Sequence, residues 1–173
     1  MVTTKKPKLT GWRRHALVER VSIFGAKARL GPLGLIQYAQ YYLDGARSVQ
    51  PSQDTLPVVR TFLAARAVEL ALKAFLAVKG NTLVELAGGL YGHDLKQLIA
   101  EADKRDLQAI VKLTDEQHAG IIKASEYYLE KVLEYPSVSE AVRGYRGMPN
   151  ADILIGTAAV LIERLYEPCV NAE

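Results

Sequence analysis

One cysteine in 173 residues removes two kinds of architecture at once. Cys169 has no second thiol to pair with, so no internal disulfide framework exists and no cysteine cluster can hold a metal. A reducing compartment suits such a chain. Histidine is almost as scarce: His15, His93 and His118 offer no metal-ligand spacing, and no His-Glu-x-x-His helix can be written. Long apolar runs are missing too. The longest, Ile153 to Ile162, falls well short of the roughly 20 residues a spanning helix needs. The residues after the early lysines lack the continuous apolar core of a secretory signal. Neither a phosphate-cradling Walker-type loop nor a dinucleotide glycine fingerprint occurs, and Gly88-Gly89-Leu90-Tyr91-Gly92 follows no strand. These absences predict a cytoplasmic protein with no membrane association, no metal and no cofactor.

What remains is helical in pattern. Nearly half of the residues are hydrophobic and about a quarter are charged, the balance of a soluble globular domain. Period and punctuation predict about six helices and no strand. They cover Thr10 to Ala28, Leu33 to Val49, Leu56 to Lys79, Leu95 to Asp103, Thr114 to Pro136 and Asn150 to Tyr166. Pro57 suits a first helical turn and Gly80 a C-terminal cap. Asp94 with Gln97, and Thr114 with Gln117, have the spacing of capping boxes. In the fifth helix Ile122, Ser125, Leu129 and Val132 form the expected inner stripe, and Pro168 is expected to stop the last helix.

The third of these helices is apolar on almost every side. Arg66, Glu69 and Lys73 interrupt it, three and four residues apart and therefore on one seam. A surface helix has a single apolar stripe, so this one belongs at the centre of a bundle. The predicted fold is all-α: an antiparallel up-and-down bundle of four to five core helices over 33–173. A basic N-terminal helix or arm over 1–32 precedes it. Residues 1–30 carry eight Lys or Arg against Glu19 alone, whereas the remainder has 14 basic and 18 acidic residues. Such an arm either attracts an acidic surface such as nucleic acid or is simply solvated.

Three groups of residues carry candidate chemistry. His93 next to Asp94 reads either as a carboxylate-oriented proton carrier or as a packed histidine before an N-cap aspartate. The Arg66, Glu69, Lys73 seam reads either as mutual neutralisation or as a groove for an anion. The loop Arg143-Gly144-Tyr145-Arg146-Gly147 reads either as a solvated connection or as a phosphate-binding and base-stacking element.

The apolar helix Ala64-Ala65-Arg66-Ala67-Val68-Glu69-Leu70-Ala71-Leu72-Lys73-Ala74-Phe75-Leu76, followed by Gly92-His93-Asp94-Leu95, resembles the HEPN superfamily (higher eukaryotes and prokaryotes nucleotide-binding helical domains). Tyr127-Tyr128 and Tyr135-Pro136 are similar to tyrosine-rich and Tyr-Pro elements of many prokaryotic members. The likeness spans roughly 33–166. It implies a four- or five-helix bundle, commonly a homodimer. Its members are metal-independent ribonucleases of toxin–antitoxin and defence systems, or non-catalytic binders of nucleotide, RNA or a nucleotidyltransferase partner. Ribonuclease members carry an Arg separated from a His by four to six residues. Ahead of His15, His93 and His118 the required positions hold Lys8, Leu9, Thr10, Leu86, Ala87, Gly88, Val111, Lys112 and Leu113, with no Arg among them. Where relatives often show Arg-Tyr-Pro, this chain has Glu134-Tyr135-Pro136.

The expectation is therefore a non-catalytic HEPN-like module for RNA or nucleotide, with the basic arm, Arg66, Lys73 and Arg146 as contacts. One alternative is an accessory or antitoxin subunit that binds a nucleotidyltransferase or toxin protein. Another is a divergent ribonuclease that uses His93 and Asp94 with Arg66 or Lys73.

Overall fold

The computed structural model describes residues 31–50, 58–88, 91–135, 138, 142, 145 and 147–172. The candidate helix 10–28, Pro57, Arg143 and Arg146 lie outside them. Every regular element among the described residues is helical: α1 (Pro32–Ser48), α2 (Val58–Val78), α3 (Leu83–Ala87), α4 (Leu95–Lys104), α5 (Leu107–Ile110), α6 (Asp115–Leu129) and α7 (Ala151–Asn171). Together they form an all-α bundle.

α2 is its axis. Residues Ala67 to Leu76 are buried without interruption, so for nearly three turns the helix presents no face to water. Its alanines at 64, 65, 67, 71 and 74 let neighbouring backbones approach closely, while Val68, Leu72, Phe75 and Leu76 fill the space between. α1 covers α2 most extensively, followed by α7, with α4, α6 and α3 completing the enclosure. α1 runs antiparallel to α2: Gly45 faces Leu63, and one turn back Tyr42 meets Arg66.

The helix ends show why these residues start and stop where they do. α2 closes in a Schellman turn at Gly80 (φ +96°), with Asn81 N–H donating to Leu76 O and Gly80 N–H to Ala77 O, both at 3.0 Å. Thr114 and Gln117 form the full reciprocal box at the start of α6. Asp94 supplies only the forward half for α4, accepting from the Gln97 N–H. A further box, Thr82 with Glu85, opens the short α3, which the glycine-rich surroundings had concealed.

Two boundaries differ from the sequence expectation. α6 ends at Leu129 and not at Pro136, because Lys131 takes the left-handed conformation (φ +57°) and Val132 N–H reaches back to Tyr127 O. α7 continues through Pro168 to Asn171, although proline deprives Arg164 of its usual partner. Cys169 is fully buried one turn beyond Leu165, which is also fully buried, so the last turn still adds to the bundle's core.

The stripe of α6 also differs. Ile121, Ala124, Ser125 and Tyr128 point inward, whereas Ile122 is 36% exposed and Leu129 55% exposed. The two adjacent isoleucines therefore have different costs of truncation. Ile121→Ala is expected to lose about 2–5 kcal/mol of stability and Ile122→Ala less than about 1.5 kcal/mol. Paired urea-unfolding curves measure the difference, and equal losses would contradict the observed rotation of the helix.

Candidate functional site

Glu69 has no exposed surface, and it sits halfway along α2. A carboxylate in such a place needs partners for every lone pair, and the fold provides them from three elements. Within α2, Lys73 Nζ donates to Glu69 Oε1 at 2.6 Å and Arg66 Nη1 donates to Oε2 at 2.7 Å. From α6, the Tyr128 hydroxyl donates to Oε2 at 2.6 Å. From the turn before α4, His93 Nδ1 lies 3.3 Å from the same carboxylate. The Glu-before-Lys order at four residues is the favourable one in a helix, and here it is enclosed.

The charges are mutually supporting. Burial alone would push the Glu69 carboxyl up, but the Lys73 and Arg66 charges, with hydrogen bonds from Lys73 and Tyr128, hold it below the ordinary carboxylate range. Burial acts on Arg66 in the lowering sense and is outweighed by Glu69 and Tyr128 together, so its guanidinium is held more firmly charged than usual. Burial and the Glu69 charge together push the Tyr128 phenol far above its ordinary value, which keeps it a neutral donor. Two cations thus share one carboxylate, and this group of side chains carries a net positive charge.

Lys73 faces inward. Its second bond is to the Gly92 carbonyl at 2.6 Å, and its side chain is only 8% exposed. The outward edge belongs to Arg66, with 26% of its side chain exposed, and to His93, with 47%. Among the described residues every Arg66 hydrogen bond leaves through Nη1. Its guanidinium carbon also lies 5.9 Å from the centre of the Tyr42 ring, within cation–π range. His93 Nδ1 stands 3.3 Å from both Arg66 Nη1 and Glu69, so one tautomer accepts from the guanidinium and the other donates to the carboxylate. Its ring meets Tyr128 edge-on at 5.8 Å, and Tyr128 in turn contacts Phe62 at 5.8 Å.

The seam residues and His93 are thus brought together, while Asp94 is turned elsewhere. Asp94 Oδ1 accepts from the Gln97 N–H at 3.1 Å and from Ser125 Oγ at 3.0 Å, and Ser125 Oγ accepts from the Lys96 N–H at 3.1 Å. That carboxylate fastens the start of α4 to α6 and makes no bond to His93. Tyr145 is 5% exposed, so its ring is buried and not presented to solvent. His118 bonds Asp103 at 2.7 Å, tying the other end of α4 to α6. No group of three or more His, Cys, Asp or Glu among the described residues is arranged to hold a metal ion.

Sequence reasoning missed Tyr128 and Tyr42 as members of the site. Tyr128 was signalled by its place three residues after Ser125 on the inner face of α6, Tyr42 by nothing local. No family model, curated protein or solved structure matches this chain.

Proposed function

We propose that the chain is a non-catalytic, HEPN-like binding module that takes a phosphate group of RNA or a nucleotide at the lip formed by Arg66 and His93. The observation that carries this reading is Arg66 itself. One nitrogen of its guanidinium is anchored on a buried carboxylate, and 26% of its side chain is exposed beside a tyrosine ring. A planar cation fixed in this way is suited to phosphate oxygens. Binding is favoured over cleavage because Asp94 is occupied as a cap, and Glu69, the one carboxylate within hydrogen-bond reach of His93 among the described residues, is already shared by two cations and a phenol. A homodimer, a cytoplasmic setting and a role in toxin–antitoxin or defence systems belong to the same proposal. No helix among the described residues is long and apolar enough to cross a membrane.

The test is fluorescence anisotropy of a short labelled single-stranded RNA across a salt series. Wild-type protein is expected to bind at about 50 mM salt and to weaken steeply as salt rises, because phosphate contacts release counterions. Arg66→Gln is expected to weaken binding about tenfold and to reduce the salt slope by about one contact. Circular dichroism on the same sample confirms that the variant is folded. Absence of binding by the wild type at low salt overturns the proposal.

A further inference from the structure

Two large rings are at least half exposed on α1, the helix whose Tyr42 faces this lip. Tyr38 is 50% exposed and Tyr41 68% exposed, and their rings meet edge-on with centres 6.2 Å apart. Tyr38 precedes Tyr42 by four residues, so the two share one face of α1, one turn apart. Tyr42 is the ring that the Arg66 guanidinium approaches. From the anchored cation, Arg66 meets Tyr42, Tyr38 lies one turn away on the same face of α1, and Tyr41, turned about 100° round the helix from Tyr42, meets Tyr38 edge-on, so the side chains make a staggered line on this side of α1.

We infer that this line is a base-stacking track and that the occupant of the lip is a single-stranded nucleic acid, whose phosphate sits at Arg66 while neighbouring bases stack on Tyr38 and Tyr41. The inference rests on the phosphate-binding reading of Arg66 and narrows it from any phosphate compound to a strand. Three observations favour this occupant. The track begins at a site where two cations share one carboxylate, which is complementary to a phosphodiester. The rings are surrounded by polar positions: Gln37 and Asp44 are exposed, Gln40 is half-buried, and Asp44 is held by Gln40 at 2.7 Å and faces Arg47 at 3.9 Å. Isolated tyrosines amid polar residues differ from the continuous apolar patch that a protein interface needs. Finally, duplex bases are already stacked on each other, so exposed rings add nothing to duplex binding, whereas unpaired bases gain from them in a sequence-tolerant way.

The experiment compares three probes of equal length: single-stranded RNA, an abasic ribose-phosphate strand and an RNA duplex. Wild-type protein is expected to prefer the single strand to the abasic strand by about tenfold or more. The Tyr38→Ala/Tyr41→Ala variant is expected to lose that preference while still binding the abasic strand, and the Tyr38→Phe/Tyr41→Phe variant to restore it. Arg66→Gln is expected to weaken both single-stranded probes alike. Because both tyrosines are exposed, the alanine pair should melt within a few degrees of wild type. Unchanged single-strand binding by a folded Tyr38→Ala/Tyr41→Ala protein overturns the track but leaves the Arg66 lip standing. Failure of the wild type to bind any probe overturns the lip itself. Sedimentation of the same samples supplies the remaining outcome: a dimer that becomes a monomer on loss of the two rings assigns the face to a second copy of the chain and overturns the inference.

Discussion

Glu69→Ala is expected to destabilise the protein by about 3–5 kcal/mol, because it leaves buried cationic groups without their counter-charge. For a chain of this size that corresponds to a fall in Tm of roughly 6–20 °C. Lys73 suffers most. Its ammonium is almost fully enclosed and would retain only the Gly92 carbonyl, whereas Arg66 can turn part of its side chain toward water. The Tyr128 hydroxyl also loses its acceptor and keeps, among the described residues, only the contact with Arg66 at 3.4 Å. Adding Lys73→Met to Glu69→Ala should recover part of the loss, since the second change removes the unpaired charge and keeps the stem's volume. Urea unfolding of the single and double variants measures both effects. A single-variant loss under about 1 kcal/mol would show that Lys73 finds water when its partner is gone.

The same carboxylate sets a pH dependence. Its folded value is depressed relative to the unfolded chain, so the unfolded state takes up a proton first as pH falls. The contribution of Glu69 to stability is therefore complete above the ordinary carboxylate range and is lost as pH drops through its lowered folded value. Wild type should lose stability on acidification over that window more steeply than Glu69→Ala.

Phe75→Ala is expected to have an effect of similar size, about 3–5 kcal/mol, from a different cause. Phe75 is wholly buried on the central helix, two residues after Lys73. Removing its ring loses the transfer energy of the ring and leaves a void. The void cannot close easily, because α2 is enclosed on all sides over this stretch and its neighbours are themselves packed against other helices. Lys79 Nζ, 5.4 Å from the ring centre, also loses its aromatic neighbour, a smaller term. Guanidinium unfolding is the measurement. A loss below about 1.5 kcal/mol would mean that adjacent side chains relax into the space, and that the axis of the bundle is softer than its burial indicates.

How much of this was legible in the sequence depended on the range of the interaction that decided it. The burial of α2 could be read directly, because a helix apolar on every side has only one place to go. The cap at Gly80, the box at Thr114 and the cap at Asp94 were likewise legible, since each is settled within a few residues. The rotation of α6 was not. Ile121 and Ile122 are chemically equivalent, and stripes through either have helical spacing. What selects Ile121 is made far away in sequence, by packing against α4, α7 and α2 and by the bond from the Tyr128 hydroxyl to Glu69 on the same inward side. The run past Pro168 was illegible for a related reason, because the burial of Cys169 depends on the packed bundle and not on local preference.

The candidate site divides along the same line. Pairing within the Arg66, Glu69, Lys73 seam followed from spacing alone. That Lys73 points inward while Arg66 reaches the surface did not, because it depends on where the Gly92 carbonyl stands. Nor could the sequence reveal that Asp94 would bond Ser125 across 31 residues and leave His93 to a different carboxylate.

The bond from Lys73 to the Gly92 carbonyl has one further consequence. Tight turns on protein surfaces ordinarily wander, and whatever they grip must first bring them to rest. Here the turn bearing His93 is moored by an internal ammonium to the middle of the bundle's most enclosed helix, which holds the imidazole beside the guanidinium. If the proposed phosphate group binds at that edge, it meets an arrangement already in place, and little of its binding energy is consumed in creating one.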